Sequence, residues 1–342
     1  MKLGIVKDKK YLDHHMGDFH VESPKRLESI YALFEGKTSF DYQDITPRLA
    51  SEKEIQMIHS GEYLNLIKET SKKPRVMLDP DTSTSSRSYE TALLAAGGLL
   101  EGIDFIMGDK INNGFALVRP PGHHAEQSRA MGFCIFNNVA IAAEYLRNEY
   151  NVERILIVDW DLHHGNGTQN SFYKTDKILY FSTHQYPHYP GTGTAVEAGL
   201  ADGEGFTVNI PLLPGKTKED YLYIYKNILN PIAADFKPEF VLVSAGFDIY
   251  KGDPLGGMNV TVEGFGALAH ELLKLAKRYA ESRILFTLEG GYDLTGLKRG
   301  VESVLKQMSG VAEPPAIKPA LSQSSENELE PVYSIQRKYW NL

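Results

Sequence analysis

Short apolar stretches alternate with longer amphipathic stretches along most of the chain. The short ones are rich in β-branched and aromatic residues, which is typical of strands that are buried on both faces. The longer ones repeat apolar residues at helical spacing and are interpreted as helices. The predicted strands are residues 115–118, 155–158, 178–181, 240–243 and 284–288. The predicted helices begin at Ser23-Pro24 or span residues 91–106, 138–148 and 261–279.

This order of elements predicts the fold class. Strands separated by helical stretches favour βαβ units, and therefore an α/β protein with a single-domain, open, mostly parallel sheet flanked by helices. We expect the domain to cover residues 1–310. Residues 311–342 are rich in Pro, Ser and Glu and predict an extended C-terminal segment that packs back on the domain through its aromatic residues. Residues 71–90 are rich in Ser, Thr, Pro and Asp and are interpreted as an irregular surface loop.

Each predicted strand runs directly into a cluster of polar residues and glycines. In open parallel sheets the carboxyl ends of the strands share one edge, and ligands bind there. We therefore expect the clusters to converge on one site. They begin at Arg119, Asp159, Ser182, Ser244 and Glu289.

Composition and charge narrow the classes of function. The chain has 36 Lys+Arg against 44 Asp+Glu, and its net charge of −8 disfavours nucleic-acid binding by bulk positive charge. No apolar run approaches the roughly 20 residues of a membrane-spanning helix, and the first residues lack the apolar core of a signal peptide. The single cysteine, Cys134, excludes an internal disulfide and favours a reducing, cytoplasmic location.

A candidate metal site follows two of the strands. Asp161 and His163 stand two residues apart after one strand, and Asp248 follows another. Two carboxylates and one imidazole, with a position left for water, suit a catalytic divalent metal, and one cysteine cannot supply a structural zinc site. An isolated Asp-x-His more often caps a helix. The histidine pair at 123–124 and the polar residues around 159–167 favour the metal here.

His123 and His124 follow a stiff Pro-Pro-Gly turn and could be metal ligands or general acid–base groups. Tyr292 follows two glycines at a strand end, where a phenol could donate a hydrogen bond to a polarised carbonyl oxygen. Most loop tyrosines merely pack, so Tyr292 gains weight only alongside the other strand ends. The pair His14-His15 is interpreted as structural or surface.

The ordered motifs resemble those of the zinc-dependent histone deacetylase and acetylpolyamine amidohydrolase superfamily. The resemblance extends from about residue 11 to residue 309 and implies the arginase/deacetylase-like fold. Two segments are similar to those of the class II-like prokaryotic deacetylases: residues 163–166 (HHGN) and residues 253–257 (DPLGG). The remaining motifs lie at residues 119–124 (RPPGHH), 132–134 (GFC), 159–169 (DWDLHHGNGTQ), 189–193 (YPGTG), 244–248 (SAGFD) and 288–292 (LEGGY).

The resemblance implies catalytic roles residue by residue. His124 would be the main general base and acid, with His123 acting mainly electrostatically. Asp159 would pair with His123 and Asn166 with His124, which fixes their tautomers. Tyr292 would hydrogen-bond the substrate carbonyl. The implied zinc ligands are Asp161, His163 and Asp248, with Fe²⁺ or another divalent ion as the alternative metal.

The resemblance also implies a narrow substrate tunnel. Phe133 would form one wall and Gly132 would offer its carbonyl to the substrate amide. Tyr189 stands where the family usually has Phe, which adds a hydroxyl and leaves the acyl preference open. Leu255 stands where a polyamine-preferring relative carries Glu, which favours acyl-lysine. Arg26 would lie near an internal channel for the released acid.

Potassium is the second cofactor that the resemblance implies. The first potassium site would use Asp159, Asp161, His163, Ser182 and Thr183. The second would use Phe172, Thr175 and Ile178.

The sequence therefore predicts a zinc-dependent amidohydrolase that removes acetyl or other acyl groups from lysine side chains of proteins or peptides, or from related amines. Acetylpolyamine hydrolysis is the main alternative. A non-catalytic acyl-lysine binder would lack a ligand, a histidine or the tyrosine, and none is missing. An arginase-like manganese ureohydrolase would need further Asp or His ligands. Neither nucleic acid nor a membrane is an expected partner, and assembly into a homo-oligomer stays open.

Overall fold

A parallel sheet forms the centre of the protein. The computed structural model describes residues 2–342, apart from the side chains of residues 323 and 324. The strands are β1 (Leu3–Val6), β2 (Gln43–Ile45), β3 (Arg75–Met77), β4 (Ser83–Ser85), β5 (Asn113–Ala116), β6 (Ile155–Asp159), β7 (Ile178–Gln185), β8 (Thr207–Leu212), β9 (Phe240–Ala245) and β10 (Ile284–Leu288). Within the described residues, eight of them form one sheet in the order β2-β1-β5-β10-β9-β6-β7-β8, with all neighbours parallel.

Helices flank this sheet. They are α1 (Lys25–Tyr31), α2 (Glu52–Ile55), α3 (Gly61–Thr70), α4 (Ser88–Met107), α5 (Asn138–Tyr150), α6 (Asn166–Phe172), α7 (Lys218–Ile224), α8 (Asn230–Phe236), α9 (Val262–Tyr279), α10 (Leu294–Ser309) and α11 (Gln323–Gln336). A π-helical turn, Tyr225–Leu229, joins α7 to α8. α4 packs with α5, whereas α9 packs with α10 and α7. Among the described helices none has both the length and the apolar character needed to cross a bilayer.

The strands form where buried apolar residues cluster. All residues of β5, β6, β9 and β10 are buried, as expected for a sheet covered on both faces. β1, β2 and β8 were not predicted. β1 and β2 are only 4 and 3 residues long, and β8 carries Asn209 and Pro211. Proline is tolerated there because β8 is the last strand of the sheet.

The strand order explains why the polar clusters meet. The strands whose ends carry them, β5, β10, β9, β6 and β7, are consecutive neighbours in the sheet. Asp159 at the end of β6 lies opposite Ser182 of β7 on one side and Ser244 of β9 on the other. Since these strands are parallel, their carboxyl ends form one continuous edge.

The segment 71–90 is more ordered than its composition predicted. β3 and β4 pair as an antiparallel hairpin, and α4 begins at Ser88. Thr82 and Ser83 are buried. Thr82 Oγ1 accepts a hydrogen bond from the Phe133 N–H at 3.0 Å. Ser and Thr side chains form hydrogen bonds to nearby backbone both in irregular loops and in hairpins. Composition alone therefore did not distinguish the two.

The C-terminal segment lies along the edge strand β8 and contains a helix, α11, where an extended segment was expected. Gln336 Nε2 donates to the Thr207 carbonyl at 3.1 Å, and Trp340 Nε1 donates to the Gly205 carbonyl at 2.9 Å. The Trp340 ring meets the Phe206 ring edge-on at 5.3 Å. These contacts satisfy backbone carbonyls at the edge of the sheet and cover it.

Candidate active site

Two carboxylates and an imidazole meet where β6 and β9 end. Asp161 and His163 follow β6, and Asp248 follows β9. His163 Nδ1 lies 3.1 Å from Asp161 Oδ1 and 3.1 Å from Asp248 Oδ2. One ligand atom from each residue lies within 4.8 Å of the others, and all three residues are buried. The structure thus brings the predicted zinc ligands together around a point that could hold one metal ion.

Glycines make room for these carboxylates. A Cβ at Gly246 would lie 2.2 Å from Asp161 Oδ2, and a Cβ at Gly290 would lie 2.2 Å from Asp248 Oδ2. The Gly290 N–H donates to Asp161 Oδ2 at 2.8 Å, and the Leu162 N–H donates to Asp248 Oδ1 at 2.9 Å. The backbone therefore helps to hold both carboxylates, and the other oxygen of each, Asp161 Oδ1 and Asp248 Oδ2, faces the His163 ring.

The electrostatics of this group favour a bound cation. Burial by itself would lower the pKa of His163, but Asp161 and Asp248 raise it to about 10. Burial and the charge of Asp161 raise the pKa of Asp248 to about 7. Buried carboxylates are costly unless positive charge offsets them. A divalent ion fits this donor set because it would replace the protons that the group holds so strongly.

His123 and His124 lie side by side, with ring centroids 4.0 Å apart, but have different partners. His123 Nδ1 lies 3.1 Å from Asp159 Oδ2, and His124 Nδ1 lies 2.8 Å from Asn166 Oδ1. Both partner oxygens are acceptors, so each Nδ1 carries a proton. For His124 this leaves Nε2 as the basic nitrogen.

The two imidazoles also differ in charge. Burial would lower the pKa of His123, but Asp159 and Asp161 raise it to about 10. Burial and the neighbouring His123 and His163 hold the pKa of His124 well below its ordinary value. At neutral pH the site therefore contains a charged imidazole next to a neutral one. Only the neutral one can accept a proton.

Glu289 supports the histidine turn, a role that sequence reasoning missed. Its buried carboxylate accepts from the Gly122 N–H at 2.7 Å and from the His123 N–H at 3.2 Å, and Ser244 Oγ donates to it at 3.1 Å. It links β10, β9 and the turn after β5. In the sequence, the only sign of this role was the position of Glu289 between a buried strand and two glycines. Its hydrogen-bond partners are distant in the chain, so the role could not be assigned.

A cavity of about 260 Å³ brings the predicted substrate positions together. Gly132, Phe133, Tyr189, Leu255 and Tyr292 all line it, together with the histidines of the site. The Phe133 ring lies edge-on to Tyr292, with centroids 5.8 Å apart. The Tyr189 ring lies edge-on to His124 at 5.2 Å. Aromatic rings therefore wall the approach to the metal-ligand group.

One wall of the cavity depends on an unusual backbone turn. Gly132 has φ +56°, and a Cβ there would lie 2.3 Å from the His124 ring. Phe133 has φ +69°, a left-handed conformation that side chains disfavour. Its N–H bond to Thr82, from the β3–β4 hairpin, helps to hold this turn.

Two lining residues, Asp81 and His188, were not predicted. Asp81 belongs to the segment that had been interpreted as a surface loop. The His188 ring stacks on His163, with centroids 5.2 Å apart. The sequence sign that could have pointed to His188 as a lining residue was its position next to Tyr189.

Tyr292 is held by its backbone and by its ring. Its N–H donates to Asp253 Oδ2 at 2.6 Å, and the Arg26 guanidinium lies over its ring at 4.9 Å. Arg26 is buried and donates from Nε to the Gly291 carbonyl at 2.7 Å. Burial raises the pKa of Tyr292 well above its ordinary value. The phenol therefore keeps its proton and can donate it in a hydrogen bond.

The residues of the two predicted potassium sites lie on adjacent elements. Asp159 and Ser182 face each other across β6 and β7, and Ser182 Oγ lies 2.9 Å from His184 Nδ1. Thr183, next in β7, is buried. Phe172 ends α6 and Ile178 begins β7, with the Thr175 N–H donating to the Phe172 carbonyl at 3.3 Å. Both sites remain predictions.

Comparison with known proteins agrees with this geometry. The histone deacetylase domain matches residues 20–308 of the chain. The chain belongs to the histone deacetylase family. It is 35% identical to a probable deacetylase of Archaeoglobus fulgidus over 99% of both proteins. It is 39% identical to the polyamine deacetylase HDAC10 of Danio rerio over 94% of this chain and 49% of that protein.

The similarity to this family extends to the three-dimensional structure. The crystal structure of the HDA15 HD domain superposes on the chain with a TM-score of 0.92 at 36% identity, covering 99% of this chain and 97% of that one. The predictions of a histone deacetylase relative and of a parallel sheet flanked by helices are thus confirmed. The chain spans less than half of eukaryotic relatives such as the histone deacetylase HDA1 of Candida albicans, of which it covers 44%.

Proposed function

We propose that this histone deacetylase family member is a metal-dependent deacylase that hydrolyses the amide of acetyl-lysine or another acyl-lysine in proteins and peptides. The observation that carries the proposal is the meeting, at one cavity, of a buried Asp–His–Asp group, a neutral imidazole and a protonated phenol. The name of the archaeal relative, a probable deacetylase, supports the same class of reaction.

Asp161, His163 and Asp248 would hold the divalent ion. Zinc is the expected metal, with Fe²⁺ as the alternative, because two carboxylates and one imidazole leave a position open for water and substrate. When bound, such an ion lowers the pKa of a water molecule and polarises a carbonyl group.

His124 performs the proton transfers in this proposal. Its Nε2 accepts a proton from the attacking water, because Asn166 holds the other proton of the ring on Nδ1. The same proton then passes to the leaving amine nitrogen as the C–N bond breaks, which releases a carboxylic acid and a free amine. His123, charged beside Asp159, stabilises negative charge at the site. The Tyr292 hydroxyl donates to the acyl oxygen as that atom gains charge.

The cavity walls would select the substrate. Phe133 and Tyr189 enclose the apolar stem of an acyl-lysine, and the Gly132 carbonyl accepts from its amide N–H. The Tyr189 hydroxyl is buried without a hydrogen-bond partner among the described residues.

Several finer assignments belong to the same proposal. Asn166 favours a class II-like deacetylase. Potassium would bind at the two sites around Ser182 and Thr175. The single cysteine, Cys134, is free and buried, which favours a reducing, cytoplasmic location.

Hydrolysis of acetylpolyamines is a second candidate. The Asp81 carboxylate lines the cavity and would attract a cationic amine, and a relative is named a polyamine deacetylase. Leu255, which also lines the cavity, provides no such charge. Within residues 2–342 a single set of three metal-ligating side chains comes together, which disfavours a two-metal ureohydrolase.

The test is a turnover panel with the zinc-loaded protein. It contains acetyl-lysine peptides, longer acyl-lysine peptides and acetylpolyamines, each followed by release of the free amine. We expect the highest kcat/KM with an acyl-lysine peptide and loss of turnover after treatment with a chelator. Preference for acetylpolyamines would select the second candidate. Turnover of no member of the panel would refute both.

A further inference from the structure

Glu126 contacts Asn166 on the side away from His124, the imidazole that accepts a proton in the proposed function. Its Oε1 accepts from Asn166 Nδ2 at 2.9 Å, while Asn166 Oδ1 lies 2.8 Å from His124 Nδ1. The three side chains form a continuous row from the cavity toward the surface. Glu126 itself is half-buried and is outside the described lining of the substrate cavity.

The row matters because an asparagine amide has two orientations. If the amide of Asn166 turned over, Nδ2 would face His124 Nδ1, and the imidazole would have to accept there and move its proton to Nε2. His124 could then no longer take a proton from water at Nε2. A carboxylate can only accept, so Glu126 favours the orientation in which Nδ2 faces it and Oδ1 faces His124.

Other acceptors near the Asn166 amide are more distant. Its Nδ2 lies 3.4 Å from Met131 Sδ and 3.4 Å from the His124 carbonyl. Glu126 is nearer, at 2.9 Å, and carries the formal charge that strengthens such a bond. It is therefore the main group that distinguishes the two amide orientations.

Glu126 is itself well fixed. Its carbonyl lies 2.9 Å from His59 Nδ1, which carries a proton because His59 Nε2 accepts from the Asn137 N–H at 2.9 Å. The Glu126 N–H donates to the Arg129 carbonyl at 2.9 Å. Asn170 Nδ2 donates to Glu126 Oε1 at 2.9 Å. The carboxylate thus has a defined place from which to orient its neighbour.

We infer that Glu126 is a positioning residue that selects the amide orientation of Asn166 and, through it, the tautomer of His124 that can accept a proton at Nε2. The inference rests on the proposed function for the role of His124. It assigns a role to the last residue of the sequence HHAE, residues 123–126, which follows the histidine pair without touching substrate.

The first test compares three variants on an acetyl-lysine peptide. We expect Glu126→Ala to lower kcat by about tenfold, since it loosens the orientation of a proton-transfer group, and to leave KM unchanged, since Glu126 lies outside the lining of the cavity. Glu126→Gln can donate as well as accept, so it should select the Asn166 orientation less strongly and give a kcat between those of the wild type and Glu126→Ala. Asn170→Ala removes one group that holds Glu126 in place but keeps the Glu126–Asn166 bond, so it should lower kcat by less than Glu126→Ala. Thermal unfolding and metal content are measured for each variant.

The second test changes the group that Glu126 orients. In Asn166→Asp the acceptor for His124 no longer depends on amide orientation, and Glu126 becomes a like-charged neighbour. Adding Glu126→Ala to this variant should therefore raise kcat about threefold or more, the opposite of its effect in the wild type. This reversed sign would not arise if Glu126 only stabilised the fold.

A spectroscopic measurement observes the tautomer without catalysis. In ¹⁵N–¹H spectra of the imidazoles, the His124 signals are assigned by their loss in His124→Gln. They should show an Nδ1-protonated ring in the wild type and a tautomer mixture in Glu126→Ala. An unchanged tautomer, equal losses of kcat with Asn166 present and with Asn166→Asp, or a wild-type kcat in Glu126→Ala would overturn the inference while the proposed function stands. No turnover by the wild-type protein would instead refute the proposed function and, with it, the role assigned to Glu126.

Discussion

Replacing Glu22 by glutamine is expected to destabilise the protein by about 3–5 kcal/mol, because it leaves two buried guanidinium groups without their carboxylate. Glu22 Oε1 accepts from Arg26 Nη1 at 3.2 Å and also from Arg119 Nε. Glu22 Oε2 accepts from Arg119 Nη2 at 2.6 Å. The side chains of all three residues are 0% exposed, so water cannot replace the lost partner.

The lowered pKa of Glu22 corresponds to a stabilisation of similar size. Burial would raise this pKa, but Arg119 and Arg26 lower it from an ordinary 4.5 to about 2. A depression of that size corresponds to ~3 kcal/mol of stability at neutral pH. Because the unfolded chain binds the proton more readily, this contribution is complete above pH 4.5 and is lost as the pH falls to about 2.

The assay is urea unfolding followed by circular dichroism between pH 7 and pH 3. Glu69→Gln is the matched control, since Glu69 pairs with Lys72 at 2.7 Å where both side chains are more than half exposed, and it should cost less than about 1 kcal/mol. The difference between wild type and Glu22→Gln should be about 3 kcal/mol at pH 7 and should shrink toward pH 3. A difference below about 1 kcal/mol at pH 7, or one that stays constant with pH, would refute the reasoning.

Three further predictions concern single side chains. Burial lowers the pKa of His59 to about 4, so His59 alone should account for a loss of ~2 kcal/mol of stability as the pH drops from 6.5 to 5; His59→Gln should reduce the loss seen in urea unfolding by that amount, and an unchanged loss would exclude a contribution from His59. Tyr292→Phe should lower kcat at least ~10²-fold with the metal content unchanged, and near-wild-type turnover would remove its role toward the acyl oxygen. Asp248→Asn should weaken divalent-metal binding at least about tenfold in competition with a chromophoric chelator, whereas wild-type affinity would contradict its role as a ligand.

The elements that could be predicted are those marked by a local pattern of apolar residues in the sequence. The central strands are uninterrupted apolar runs, and β10 was predicted at its observed bounds, Ile284–Leu288. β8 escaped prediction because Asn209 interrupts its apolar run and because its edge position tolerates Pro211, which a central strand would exclude. The β3–β4 hairpin escaped because each strand has only three residues, and β4 consists of hydroxyl residues that give no alternation of apolar and polar positions.

The candidate site shows the same division. Asp161 and His163 could be recognised together because they are two residues apart and follow an evident strand. Glu289 could not be assigned a partner, since the Gly122 N–H that it accepts from is 167 residues away. Asp81 lies in a segment whose composition indicates only a loop, although the residue lines the cavity.

The sequence by itself determined which chemical groups the protein can use and that they follow strands. It specified the carboxylates, imidazoles and phenol and the net charge of −8. Only the tertiary structure decided which groups meet, because the order of strands in the sheet sets the distance between residues far apart in the chain. It also decided how neighbouring identical residues differ. His123 and His124 are adjacent in sequence, yet one faces the Asp159 carboxylate and the other the Asn166 amide. The charges of Asp159 and Asp161 raise the pKa of His123 despite its burial, whereas burial and the neighbouring His123 and His163 lower the pKa of His124, and no local pattern contains these surroundings.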